Sequence, residues 1–364
     1  MFSFSMTKEQ KMVSKEVAKL VKGVVTENAH EMDENGIIPD DALQKGWDLG
    51  SSVSIVPEAF GGHGMEDSPV ETSIILEELA YGDMAYAIAA TSPSLFIHPL
   101  VKMGTEEQKE KYLPLYCKED FNACTLALNE PHFASDVADL KTTAVKKDDT
   151  FILNGKKCFV PMADKAGHML VAASLDGVNN LFIVAGDNPG IVISEREKTL
   201  GCYALPLFEV ELTDCAVAAA DRLGGDDGCD YNFFIQKTRV GMAAMAAGVA
   251  KASYEFAKEY AKGREQFGQP IVYRQSVAFM LAEMAYEVDS IQLIAQKAAS
   301  KLAVGEDVTR DAYLAKLYAG EMCMKVADYG VQLMGGHGYI REYPVERYYR
   351  NARGVSILEG MAIV

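Results

Sequence analysis

Apolar positions recur three and four residues apart through the first third of the chain, give way to short β-branched runs, and then return to helical spacing over much longer stretches. Glu71–Ala80 and Glu106–Leu113 show the first pattern, one apolar stripe on an otherwise polar segment, which predicts amphipathic helices. Thr105 stands three residues before Gln108, the spacing of a reciprocal cap at a helix start. Pro57–Gly64, reading PEAFGGHG, interrupts this zone as a loop, because its glycines give the backbone more freedom than a helix tolerates. From about Phe121 to Arg222 the texture changes. Thr150–Leu153, Met169–Ala173, Leu181–Ala185, Gly190–Ile193 and Phe208–Leu212 are short β-branched and aromatic runs separated by DD, NG, DG, NN and DNPG turns. Short strands at that spacing predict a compact β barrel or sandwich. Leu223–Asp230, LGGDDGCD, reads as a linker. Beyond it, Val240–Ala261, Tyr273–Ala303 and Val308–Met334 predict long helices of an antiparallel bundle, punctuated by GREQFGQP and GGHGYIREYP. The expected architecture is multidomain, α and β. It has an N-terminal helical domain at 1–118, a middle β-barrel domain at 119–225 and a C-terminal four-helix bundle at 226–364.

Composition narrows the function. The chain has 364 residues, 49% of them hydrophobic and 24% charged, enough apolar material for large cores. Its formal charge of −17 has the wrong sign for a nucleic-acid partner or for docking on anionic lipid. It leaves room for a local basic pocket that takes a phosphorylated small molecule. Seven cysteines lie far apart with no CxxC, which argues against a disulfide framework or a zinc site and fits buried thiols in a reducing cytoplasm. None of the six histidines has metal-ligand spacing, and no metal is assigned. MFSFSMTKEQKMVSKE is not expected to be a signal peptide, and no run approaches the roughly 20 apolar residues of a membrane span. Strands and helices are segregated, no GxGxxG follows a strand, and no P-loop occurs, so a nucleotide cofactor would be held by another device.

Six strings then stand in order: IVPEAFGG at 55–62, GTEEQKEKYLP at 104–114, NEP…SDV at 129–137, LNGKK at 153–157, GREQFGQPI at 263–271, and QLMGGHGYIREYPVERYYRNAR…EG at 332–360. Together with the α/β/α order, they resemble the acyl-CoA dehydrogenase family of flavoproteins over nearly the whole chain. The resemblance implies FAD as cofactor, an acyl-CoA substrate, an electron-transfer flavoprotein as acceptor, and a homotetramer. It places the catalytic glutamate at Glu359, in Leu358-Glu359-Gly360-Met361, where the family reads close to YEGT. Abstracting the weakly acidic α-proton of an acyl thioester needs a base held close to the carbon. The family's second location for that base, early in the first bundle helix, is empty here, since no Asp or Glu lies between Lys237 and Tyr254. Without the surrounding motif, Glu359 reads as an exposed carboxylate.

For the flavin, the resemblance maps Arg264, Phe267 and Gln275 onto residues that reach over from a neighbouring subunit, the guanidinium suiting a pyrophosphate. Alone, Arg264 reads as a solvated helix-end charge. Gln332, Gly335 and Gly336 match the segment that receives the adenine end, although the glycines also read as a helix C-cap. Asn129 stands where the family usually has Thr beside the ring system, and Phe159 where it has Trp. Ser135 and Arg239 match contacts to the acyl-CoA, with a turn cap and an N-terminal helix charge as their plainer readings.

The departures fall on the cofactor side. Phe159-Val160-Pro161 replaces the usual Trp-[Ile/Ser]-[Thr/Ser], so Pro161 brings neither hydroxyl nor N–H. His132-Phe133-Ala134 replaces a Gly-x-Gly, Gln236 an aspartate, and Met361 a threonine. These differences keep open a half-site or non-catalytic subunit of a hetero-oligomer with a paralogous chain; an enoyl-CoA reductase or desulfinase variant of the fold is a further reading, with Glu359 counting against desulfination.

Overall fold

The computed structural model describes residues 6–364; the first five residues, where the signal-peptide question begins, lie outside them. Seven α-helices open the described residues: α1 (Lys8–Leu20), α2 (Ala29–Asn35), α3 (Asp40–Trp47), α4 (Pro69–Gly82), α5 (Met84–Thr91), α6 (Ser94–Met103) and α7 (Glu106–Tyr116). The cap before α7 forms as its spacing predicts. Gln108 N–H donates to Thr105 Oγ1 at 3.2 Å, and Thr105 N–H to Gln108 Oε1 at 3.1 Å. Pro57–Gly64 is a loop around one short 3₁₀ turn, with Gly61 and Gly64 at φ +91° and +62°. Among the described residues no single helix is long and apolar enough to cross a membrane. The bent pair α5–α6 passes that test only jointly, and it is buried within the protein.

Seven strands follow: β1 (Thr125–Ala127), β2 (Thr143–Lys147), β3 (Thr150–Pro161), β4 (His168–Leu175), β5 (Val178–Ala185), β6 (Ile191–Ile193) and β7 (Leu207–Ala218). They form one curled sheet in the order β1-β4-β2-β3-β7-β6, with β5 added antiparallel on β4. Phe151, Leu153, Val171, Phe182 and Val210 fill its core. The predicted strand at Thr150–Leu153 runs on to Pro161. Register shifts between Leu153 and Gly155 and between Lys157 and Val160 break the period-2 alternation that would have marked its length.

The last zone comprises α8 (Tyr231–Gly263), a hairpin of β8 (Glu265–Gln266) and β9 (Gln269–Pro270), α9 (Gln275–Ala303), α10 (Thr309–Met334), α11 (Gly336–Tyr339) and α12 (Val345–Ile357). From Val240 to Ala250 every residue of α8 is buried, because α8 is the central rod against which α4, α9, α10 and α12 pack. A Cβ on Gly248 would sit 2.1 Å from the Glu77 carbonyl oxygen, so the glycine sets how closely α4 approaches. Met242–Ala247 is core, as expected. Of Met280–Met284 only Leu281 and Met284 are fully inside, since one face of α9 looks outward. All seven cysteines are free thiols, five of them buried.

Helix α12 positions the site, and both other zones grip it. Arg350 binds Asp33 through two parallel bonds of 3.0 and 2.6 Å, and Arg347 pairs with the buried Asp83 at 3.2 Å. Asn351 Oδ1 accepts the Cys202 N–H at 2.6 Å. The helix carrying the chain to Glu359 is thereby tied to the N-terminal helices and to the loop before β7.

Candidate active site

Helix α12 ends at Ile357; Leu358 N–H bonds Gly354 O, and Glu359 follows, turned by Gly360 at φ +71°. A Cβ on Gly360 would lie 2.5 Å from Leu128 Cδ2, so the turn presses directly on the segment after β1. There Asn129 reads the main chain of Glu359. Its Nδ2 donates to the Glu359 carbonyl at 2.8 Å, while the Glu359 N–H reaches Asn129 Oδ1 at 3.4 Å, a long and weak contact. The Glu359 carboxylate meets a residue absent from the motif reading. Lys316 of α10 donates from Nζ to Glu359 Oε1 at 2.7 Å.

Next to Asn129, Glu130 and Lys157 form an ion pair of 2.8 Å with almost no exposed surface. Glu130 also accepts the N–H groups of Lys141 and Thr142, and Lys157 donates to Leu128 O. Burial works to raise the Glu130 carboxyl, but Lys157 and these donors outweigh it and hold the group down at about 2. Burial pulls Lys157 down to about 8 despite the favourable charge of Glu130. The pair pins the Asn129 segment to β3, as does the Cys158 N–H bonded to Asn129 O at 2.9 Å.

Glu359 borders a cavity of about 360 Å³ lined also by Asn129, Ser135, Phe159, Arg239 and Tyr313. Two further cavities adjoin it. One of about 470 Å³ shares Val137 and Arg239 and continues toward Tyr231; one of about 450 Å³ shares Phe159 and Ile357 and continues along Arg353. Arg239 stands where two of these spaces meet, its guanidinium 5.3 Å from the Tyr313 ring and without an ion-pair partner among the described residues. It lies more than two turns into α8, so it is not a first-turn charge. Ser135 is exposed and leaves the turn cap to Asp136, whose Oδ1 accepts the Ala138 N–H. Phe159 takes φ +52° at the β3 bulge, its N–H donating to Glu197 at 3.1 Å. Pro161 closes the strand, buried.

The structure thus brings Glu359, Asn129, Phe159, Ser135 and Arg239 around one cavity. The other predicted residues lie elsewhere. Arg264 caps the end of α8, Phe267 is 91% exposed at φ +53° on the following hairpin, and Gln275 opens α9. Gln332 is exposed in the last turn of α10. Gly335 caps that helix at φ +56°, ψ −132°, and a Cβ on it or on Gly336 would meet nothing within 4 Å.

Three domain profiles of acyl-CoA dehydrogenases match the chain: the N-terminal domain over residues 7–120, the middle domain over 125–215 and the C-terminal domain over 232–362. The chain belongs to the acyl-CoA dehydrogenase family. It is 34% identical to the probable acyl-CoA dehydrogenase YngJ of Bacillus subtilis, covering 98% of this chain and 96% of that protein. It is 34% identical to the caffeyl-CoA reductase–Etf complex subunit CarC of Acetobacterium woodii, covering 94% and 92%. The butyryl-CoA dehydrogenase structure from Megasphaera elsdenii superposes with a TM-score of 0.89 at 31% identity, over 98% of this chain and 95% of that one. The chain is therefore an oxidoreductase of this family. Lys316 escaped the motif reading, as did the pairing of Glu130 with Lys157, although both of these stand in the quoted strings. The one sequence signal for Lys316 is a lysine standing in the apolar stripe Ala312, Ala315, Ala319 and Cys323.

Proposed function

We propose that the protein carries out FAD-dependent α,β-dehydrogenation of an acyl-CoA thioester, working in the cytoplasm with Glu359 as the base. The supporting observation is the juxtaposition of the Glu359 carboxylate with a cavity bordered by Asn129, Ser135, Phe159 and Arg239. The α-C–H bond breaks, its proton passes to a Glu359 oxygen, and its electron pair stays on the acyl group. The Glu359 N–H, only weakly engaged by Asn129, is free to donate to the thioester carbonyl as charge develops there. Arg239 supplies the cation beside the thioester and Ser135 a hydroxyl.

The residues present suit FAD. Arg264 has no side-chain partner among the described residues, Phe267 is exposed with the Arg274 guanidinium 5.5 Å from its ring, and Gly335 and Gly336 face open space. Arg264 would take the pyrophosphate, with Phe267 and Gln275 beside it. Gln332, Gly335 and Gly336 would receive the adenine end, and Phe159 and Asn129 the ring end. Bound there, FAD supplies the acceptor for the β-hydride. An electron-transfer flavoprotein then takes the electrons; the Acetobacterium woodii relative's name couples its reductase to an Etf. A homotetramer is the assembly we expect. Pro161, which can donate no hydrogen bond, favours one other reading: a half-site subunit completed by a paralogous chain.

The visible spectrum of the purified protein, alone and with a panel of saturated acyl-CoAs, tests the proposal. A flavin band bleached by one acyl-CoA supports it and names the substrate class. A protein that stays colourless with added FAD overturns it in favour of the half-site. Bleaching that survives Glu359→Gln unchanged removes Glu359 from the role.

A further inference from the structure

We infer that Lys316 is a positioning residue for Glu359: its ammonium fixes one carboxylate oxygen so that the other faces the cavity as proton acceptor. This rests on the reading of Glu359 as the base. Three observations carry it. Lys316 lies on the inward stripe of α10 with Ala312, Ala315, Ala319 and Cys323, its side chain only 10% exposed. A lysine there gives up most of its hydration, a cost that a surface position would avoid. Second, its Nζ meets Glu359 Oε1 at 2.7 Å and has no other partner among the described residues. Third, Oε2 of Glu359 accepts no hydrogen bond within the described chain, although the residue borders the cavity.

Glu359 stands beyond the end of α12, where the backbone is held by Asn129 but the side chain has three rotatable bonds. Proton abstraction needs the accepting oxygen within hydrogen-bond reach of one carbon, and a displacement of 1 Å at a reacting group costs about 10²-fold in rate. Fixing Oε1 removes most of that freedom. The contact also survives the step. The α-proton forms an O–H bond at Oε2, the C–H electron pair stays on the acyl group, and Oε1 remains an acceptor for the ammonium. Nothing else gains or loses a proton.

The readout is uptake of solvent deuterium at the α-carbon, followed by mass spectrometry under anaerobic conditions without an electron acceptor. The probe is the acyl-CoA that bleaches the flavin fastest in the panel. Lys316→Met should slow exchange about 10²-fold and leave acyl-CoA affinity within about threefold, the pattern of a lost interaction that acts on the reacting geometry alone. Lys316→Arg, which keeps the charge and the reach, should recover at least a tenth of the wild-type rate. In a Glu359→Gln background, adding Lys316→Met should change nothing further, because the residue it positions is gone. Wild-type exchange in Lys316→Met, with Glu359→Gln inactive, overturns the role of Lys316 alone. Wild-type exchange in Glu359→Gln overturns the assignment of the base instead. Should Lys316→Met not fold, Lys316→Gln replaces it; failure of both neutral variants to fold assigns the lysine to stability and overturns the inference.

Discussion

Glu130, which lines the Glu359 cavity, and Lys157 behind it illustrate how single residues hold the site in place. Their ion pair is sealed from water, so removing Lys157 leaves the Glu130 charge buried with only His132 and the Lys141 and Thr142 N–H groups beside it. Lys157→Met should therefore destabilise the protein by about 3–5 kcal/mol, read as a fall in melting temperature at pH 7. The pair also sets an acid limit. Glu130 is depressed to about 2 from an ordinary 4.5, so its stabilising contribution is complete above pH 4.5 and is lost as pH falls toward 2. Melting curves between pH 5 and pH 2.5 should fall more steeply for the wild type than for Glu130→Gln; parallel slopes would remove Glu130 from the acid transition. At this scale the sequence was legible only where a motif named the residue. Glu359, Ser135 and Arg239 do meet at one cavity. Asn129, read as a ring contact, also holds the Glu359 main chain from 230 positions away. Lys316 reaches Glu359 from another helix, and local spacing encodes neither pairing.

Among the elements, the long helices of the last zone were legible because apolar positions continue over many turns, as a stripe in α9 and α10 and on every side in the middle of α8. Strands β1 and β2 were not, being three and five residues long with no alternation of their own. The full reach of β3 was hidden by its bulges, and those bulges are what turn Phe159 to φ +52° beside the Glu359 cavity. The junction of α4 with α8 shows an element-scale constraint that the sequence states only as one glycine in an alanine-rich run. Because a Cβ on Gly248 would meet the Glu77 backbone at 2.1 Å, Gly248→Val must push two long helices apart. We expect about 3 kcal/mol of destabilisation, the upper range for overpacking a core, in a denaturant titration. Gly263→Ala, where a Cβ meets nothing within 4 Å, is the matched control and should leave the midpoint unchanged.

Over the whole molecule, α8 sets a distance that bears on the proposed cofactor site. Arg239, at the Glu359 cavity, and Arg264, the proposed pyrophosphate ligand, lie on the same helix 25 residues apart. At the rise of an α-helix this is about 37 Å, longer than an extended flavin dinucleotide. Gln332, Gly335 and Gly336 lie toward the Arg264 end as well, since His337 bonds Tyr260 at 2.8 Å one turn before Arg264. On the proposed assignments, one chain would offer the ring end of one flavin site and the phosphate end of another, and two copies would be needed to complete either. The outward face of α9 is the surface we expect such a pairing to use: Phe279, Tyr286 and Leu293 repeat every seven residues and stay 59%, 52% and 42% exposed. A stripe of this kind is what a second copy would bury. The double variant Phe279→Asp, Leu293→Asp should sediment as a monomer and lose its FAD together, with the ratio of flavin absorbance to chain falling toward zero. The single chain should keep its helical circular dichroism, because neither residue belongs to the core of α9. Monomers that retain a full complement of FAD would show that one chain closes its own flavin site, and the 37 Å separation would then have to be bridged by residues other than Arg264, Phe267 and Gln275.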